Sequence, residues 1–227
     1  MPRAFTAVEK ETIRERLLQA GRDCFTRYGL KKTTIEDLTG PAGIAKASFY
    51  LFFDSKEALY VQILFDEMPA MMKRIAQASY EQTEDTREAL VSMMKAVVHE
   101  IETNPFSKTI IDNPDELFRL AQALDFEEIL ERSQVLFVPI VQWFTEKQAA
   151  GEIIAGDPGE LVYALGMIKL LSINRDRIPQ PLYERMYELM PQVIADGLTC
   201  PARRGKRARP RARRVADPSR VGDVVDA

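Results

Sequence analysis

Lys46, Ala47 and Ser48 stand side by side just after a turn built on Pro41 and Gly43, and together they carry the groups needed to read nucleic-acid bases. An ammonium donates to guanine O6 and N7, a hydroxyl pairs with several base edges, and a methyl meets the thymine methyl. Nearby groups suit phosphates instead. The Tyr50 hydroxyl, Lys56 with the amides that open its helix, and Thr33 or Thr34 at the start of the preceding helix can hold backbone oxygens. Contacts of that kind set register, whereas Lys46 and Ser48 are the sequence readers. Catalytic and metal chemistry find little support: there is one histidine (His99), two cysteines (Cys24 and Cys200), no phosphate-cradling glycine loop and no nucleophile motif. No catalytic residue, cofactor or metal ligand is assigned, and carboxylates acting alone leave a helical enzyme only as an alternative.

Positioning these groups falls to the stretch Thr33 to Glu57, TTIEDLTGPAGIAKASFYLFFDSKE. A threonine hydroxyl with an acid three residues on opens a helix at Ile35. Gly43 is the residue suited to the left-handed backbone that ends it. Ile44 to Phe53 begins with small and polar residues and ends in aromatics. Asp54 and Ser55 then cap a third piece, with Lys56 in its first turn and Glu57 completing a box from Asp54. Two short helices across a glycine-bearing turn read as helix-turn-helix, whose second helix enters the DNA major groove. Phe49 and Phe53 are core, and an upstream helix from Ala7 to Tyr28, boxed by Thr6 and Glu9 and stopped by Gly29, supplies a third wall through Ile13, Leu17, Ala20, Cys24 and Tyr28.

This stretch resembles the DNA-binding segment of TetR/AcrR-type transcriptional regulators. The resemblance rests on Thr33-Thr34, the turn from Thr39 to Ile44, Phe49-Tyr50 with Phe53, and Ser55-Lys56-Glu57-Ala58-Leu59. It departs from the pattern at Ala45, where these regulators often place a capping serine, and at Phe52, where Tyr or His is common. Gly40-Pro41 replaces the usual helix-forming pair and should shorten the first motif helix. The resemblance implies an all-α protein: a three-helix helix-turn-helix domain over 1–55, then a larger helical ligand-binding and dimerisation domain over 56–199. It implies a homodimer joined through helices at about 158–173 and 181–195, binding double-stranded DNA. Two half-sites 34–36 Å apart also double the few contacts one motif makes. A small hydrophobic effector would enter a pocket for which Met71, Met94, Phe106, Phe118, Phe137, Trp143 and Met167 are candidate lining residues, and its binding would release a repressor from a palindromic operator. A DNA-binding protein of the same fold without an effector is the alternative.

Charge fits a polyanion held at the chain's ends. Residues 1–60 hold 10 Lys/Arg against 8 Asp/Glu, residues 61–199 hold 12 against 23, and residues 200–227 hold 9 against 3. The last segment, with PARRGKRARPRARR, reads as a disordered basic tail able to add phosphate contacts. No apolar run is long enough for a membrane span and the N-terminus lacks a signal-peptide core, so a cytoplasmic protein is expected.

The remaining pattern is helical. Pro69 is expected to end or kink the helix that starts at Lys56. Asp85 opens a helix running to Asn104, and the Asn113-Pro114 loop leads to a segment containing Phe118. A helix from Asp125 should bend at Pro139 and close at Gly151. Asp157, Pro158 and Glu160 open a helix to Ile173, and the last, Pro181 to Ala195, is read with Leu182, Met186, Leu189 and Val193 inward.

Overall fold

The computed structural model describes residues 5–106, 108, 120 and 126–199. The loop at Asn113-Pro114, Phe118 and the basic tail lie outside the described residues.

Local signals place the N-terminal helices. The first, α1 (Ala7–Lys32), opens with the Thr6–Glu9 capping box and is broken at Gly29, whose φ of 77° only glycine adopts without strain. The next, α2 (Ile35–Ala42), opens with a reciprocal box between Thr34 and Asp37 and ends on left-handed Gly43 at φ 72°. Gly40 and Pro41 do not stop α2, which continues through both. A short 3-10 helix, Lys46–Leu51, follows without a side-chain cap at Ala45. Helix α3 (Lys56–Gln77) is capped by Ser55, which accepts from the Ala58 amide. Asp54 is therefore not the cap.

These elements close on one core in which Leu17, Phe25, Leu38, Phe49 and Leu59 are fully buried. Each is worth about 1.5–3 kcal/mol relative to exposure. The α1 stripe differs from its expected course. Gly21 and Phe25 turn inward with Ile13, Leu17 and Ala20, whereas Cys24 is half-buried and Tyr28 is exposed. Gly21 is the point of closest approach to α3: a Cβ there would lie 2.7 Å from Ile63 Cδ1 and 3.2 Å from Leu59 Cδ2. A side chain there has to displace the ends of Ile63 and Leu59 or move α3.

Helix α3 extends beyond this core into a second one. Ile75 and Met72 pack there with α4 (Thr86–Thr103, capped by Asp85), α5 (Phe126–Ala149), α6 (Pro158–Gly166, capped by Asp157), Ile168 at the entry to α7 (Lys169–Ile173), and α8 (Gln180–Leu198). Pro69, Pro139 and Pro191 each sit inside a helix that carries on past them. A proline forfeits one hydrogen bond to the carbonyl four residues back, and packing on both sides offsets that loss. The expected 158–173 helix is divided: the amides of Met167 and Ile168 bond three residues back, to Ala164 and Leu165, so the turn between α6 and α7 tightens.

The last helix shows a larger difference. Tyr183, Pro191 and Ala195 are buried, while Leu182, Leu189 and Val193 are 43%, 61% and 59% exposed. The stripe expected to face inward mostly faces out. Tyr163, Met167 and Leu170 on α6, α7 and the turn between them are also exposed. Among the described residues no helix is long and apolar enough to cross a membrane.

Candidate nucleic-acid interface

The short Lys46–Leu51 helix is oriented by its aromatics. Phe49 is fully buried and stacks near Phe53, whose ring also carries the Arg14 guanidinium at 4.7 Å. Anchoring this face forces Lys46, Ala47, Tyr50 and Leu51 outward, with Ser48 half-buried. Tyr50 keeps one ring edge against Phe49 and is 55% exposed, as a phosphate contact requires. The residues expected to meet DNA from this helix therefore lie together on its open side.

The two threonines divide. Thr33 is buried and its hydroxyl donates to the Gly29 carbonyl at 2.7 Å, sealing the turn after α1. Thr34 is exposed, but its hydroxyl donates to Asp37 Oδ2 at 2.7 Å and accepts the Asp37 amide at 3.2 Å. Hydrogen bonds from the Thr34 backbone and side chain hold the Asp37 carboxyl below its ordinary value.

Lys56 has a structural engagement that the sequence reading did not foresee. Its ammonium donates to the carbonyls of Leu30 at 2.7 Å, Thr33 at 2.9 Å and Lys31 at 3.4 Å. An ammonium has three donors, and all three point at the α1–α2 turn rather than outward. Lys46 has an unforeseen partner as well: its ammonium lies 2.8 Å from Glu36 Oε1 near the start of α2. No spacing rule signals a pair ten residues apart across a turn.

The N-terminal helices are tied to the rest of the chain through side chains on α3. Arg22 on α1 donates to Glu67 at 3.1 Å and Asp66 at 3.5 Å. Gln62 donates to Asp66 at 2.8 Å and accepts from Arg132 of α5 at 3.0 Å, with the Arg132 guanidinium 4.1 Å over Phe65.

The expected pocket residues do not converge. Met94 is core, Phe106 stacks on Tyr60 at 4.2 Å in the first core, Trp143 stacks on Tyr80 at 5.5 Å, and Met167 is exposed. Met71 is half-buried against the second core. Phe137 lines an open cavity of about 390 Å³ between α5 and α6. Another cavity of about 360 Å³ lies between α3 and α5, lined by Pro69, Met72, Tyr80, Leu136, Pro139 and Ile140 among others. His99 is exposed on α4. No group of three or more His, Cys, Asp or Glu suited to a metal occurs among the described residues.

Residues 17–63 match the family described as bacterial regulatory proteins, tetR family. The chain is 31% identical over 133 residues to the HTH-type transcriptional repressor KstR2 of Mycolicibacterium smegmatis, across 57% of this chain and 62% of that protein. Its fold is similar to the crystal structure of a TetR-family transcriptional regulator from Pectobacterium atrosepticum, with a TM-score of 0.67 and 17% identity over 88% of this chain and 100% of that one. It is also similar to RolR in complex with resorcinol, with a TM-score of 0.61 and 14% identity over 84% and 96%.

Proposed function

We propose that this chain, a TetR-family helix-turn-helix regulator of transcription, is a cytoplasmic repressor that binds a palindromic DNA site as a homodimer and leaves it when a small apolar effector enters the body. The observation that carries the DNA-reading part is the reading helix, with its aromatics buried and Lys46, Ala47 and Tyr50 on the open side. Repression is supported by the similarity to KstR2, itself a transcriptional repressor.

Dimerisation is supported by the apolar side chains that α6, α7 and α8 leave uncovered. These are the helices through which the family resemblance implies a homodimer, and a second copy related by a two-fold axis would cover the same patch on both partners. The effector reading is supported by the cavity between α3 and α5. Its mainly apolar lining, with Tyr80 and the charged Lys73 and Glu81 among it, suits a small aromatic or aliphatic molecule that carries a polar group, and RolR holds resorcinol, a molecule of that kind. A ligand wedged there would act on the same two helices that Arg132 and Gln62 join, changing the angle at which α3 holds the reading head.

Selection from a pool of random duplexes tests the DNA reading. The wild-type chain should enrich an inverted repeat with half-sites one helical turn apart. Lys46→Ala should relax the preference at one base pair of each half-site, a loss of about 1–3 kcal/mol per contact. Enrichment of no sequence would sink the reading. For the effector, a panel of small aromatic and aliphatic compounds is screened by thermal melting. A true ligand raises the midpoint by mass action and lowers operator affinity by about 5–150-fold. Compounds that shift melting without changing DNA affinity would leave a DNA-binding protein without an effector switch.

A further inference from the structure

We propose that Glu36 is a specificity-determining residue that acts through Lys46, holding its ammonium for a base edge and penalising its capture by phosphate. The inference rests on the DNA-reading assignment and goes beyond it, because Glu36 belongs to α2 and not to the reading helix. Both ends of the pair are rigidly mounted. Glu36 follows directly on the first residue of α2, beside the Thr34–Asp37 box, and Lys46 begins a helix pinned three residues later by buried Phe49. The 2.8 Å contact between Lys46 Nζ and Glu36 Oε1 therefore gives a long, flexible side chain one preferred direction.

The chemistry separates right from wrong DNA registers. One of the three ammonium donors is committed to the carboxylate, and the two that remain match guanine O6 and N7. A specific complex can keep the pair and satisfy every donor. Following a phosphate instead requires Lys46 to swing away, which leaves Glu36 unpaired near a polyanion. That cost falls on non-specific registers, so the carboxylate discriminates by weakening the competitors. The pairing also stabilises both charged forms: the hydrogen bond from Lys46 lowers the Glu36 pKa, and the same bond raises that of Lys46.

The test uses the full chain with its selected half-site and a random duplex of equal length. Glu36→Gln should bind the random duplex roughly 3–10-fold more tightly, with the slope of log affinity against log salt steeper by about one as Lys46 gains a phosphate. The ratio of selected to random affinity should fall about tenfold, and repeat selection should show the loss at the base pair that Lys46→Ala relaxes. In a Lys46→Ala background the Glu36→Gln change should leave the ratio where it was. An unchanged ratio in the single variant overturns the proposal. So does an equal fall in the Lys46→Ala background, because Glu36 would then act without Lys46. Failure of the wild-type chain to prefer any sequence would overturn the DNA-reading assignment itself, and this inference with it.

Discussion

Leu189→Glu is expected to turn the protein into a monomer and to lower its affinity for a two-half-site operator by about 100-fold or more. Leu189 is the most exposed of the large apolar residues on α8, and Val193 lies one turn further along the same face. In a two-fold dimer both partners present this stripe, so one substitution puts two carboxylates into an apolar contact. Losing the partner turns two linked binding events into single ones, and linkage of that kind is worth about 10²–10⁴ in avidity. Sedimentation equilibrium and a gel-shift titration on the selected operator would measure the two effects. The helical circular-dichroism signal should persist, because Leu189 already faces solvent within its own subunit. A variant that still sediments as a dimer and binds normally would mean that the α8 stripe is not the interface.

Lys56→Met should cost about 3 kcal/mol of stability. The substitution keeps an apolar stem and removes the donors that meet the carbonyls of Leu30, Lys31 and Thr33. Hydrogen bonds to a charged group contribute about 1.5–3 kcal/mol each, and part of that is recovered as the turn relaxes. At about 2–4 °C per kcal/mol for a chain of this size, melting should fall by roughly 6–12 °C. A lysine whose sole task was to hold a phosphate would give the opposite pattern: an unchanged melting point and a salt slope shallower by about one. Calorimetry and salt titration together distinguish the two roles.

The comparison of Lys56 with Thr34 shows what a single sequence can carry. The Thr34–Asp37 and Thr6–Glu9 boxes, the Asp85 and Asp157 caps and the left-handed Gly43 all join groups within four residues of one another, and all were readable. Lys56 finds partners more than twenty residues away and Lys46 finds one ten residues away across a turn, and residue type and spacing do not encode such choices. The prolines show a related limit. Pro69 does not end α3 and Pro139 lies inside α5, because the stability of these helices comes largely from tertiary packing and not from local preference.

Helix α8 marks the boundary most clearly. Its sequence offers two apolar faces, one through Leu182, Leu189 and Val193 and another through Tyr183, Tyr187 and Ile194. Periodicity detects both and cannot rank them, because hydrophobicity records that a side chain avoids water and not which surface shields it. The pocket candidates meet the same limit: Met94, Phe106 and Trp143 are apolar at helical spacing whether they line a cavity or fill a core.

By itself, then, the sequence determined the all-helical class, the turn at Gly43 and the short helix that presents Lys46 and Ser48, since each follows from backbone preferences and hydrogen bonds among near neighbours. Only the tertiary structure decided that Lys56 clasps the α1–α2 turn, that Glu36 pairs with Lys46, and that the Leu182, Leu189 and Val193 face of α8 is left uncovered. Those outcomes depend on which distant surfaces meet, and the meeting is fixed by the packing of the whole chain.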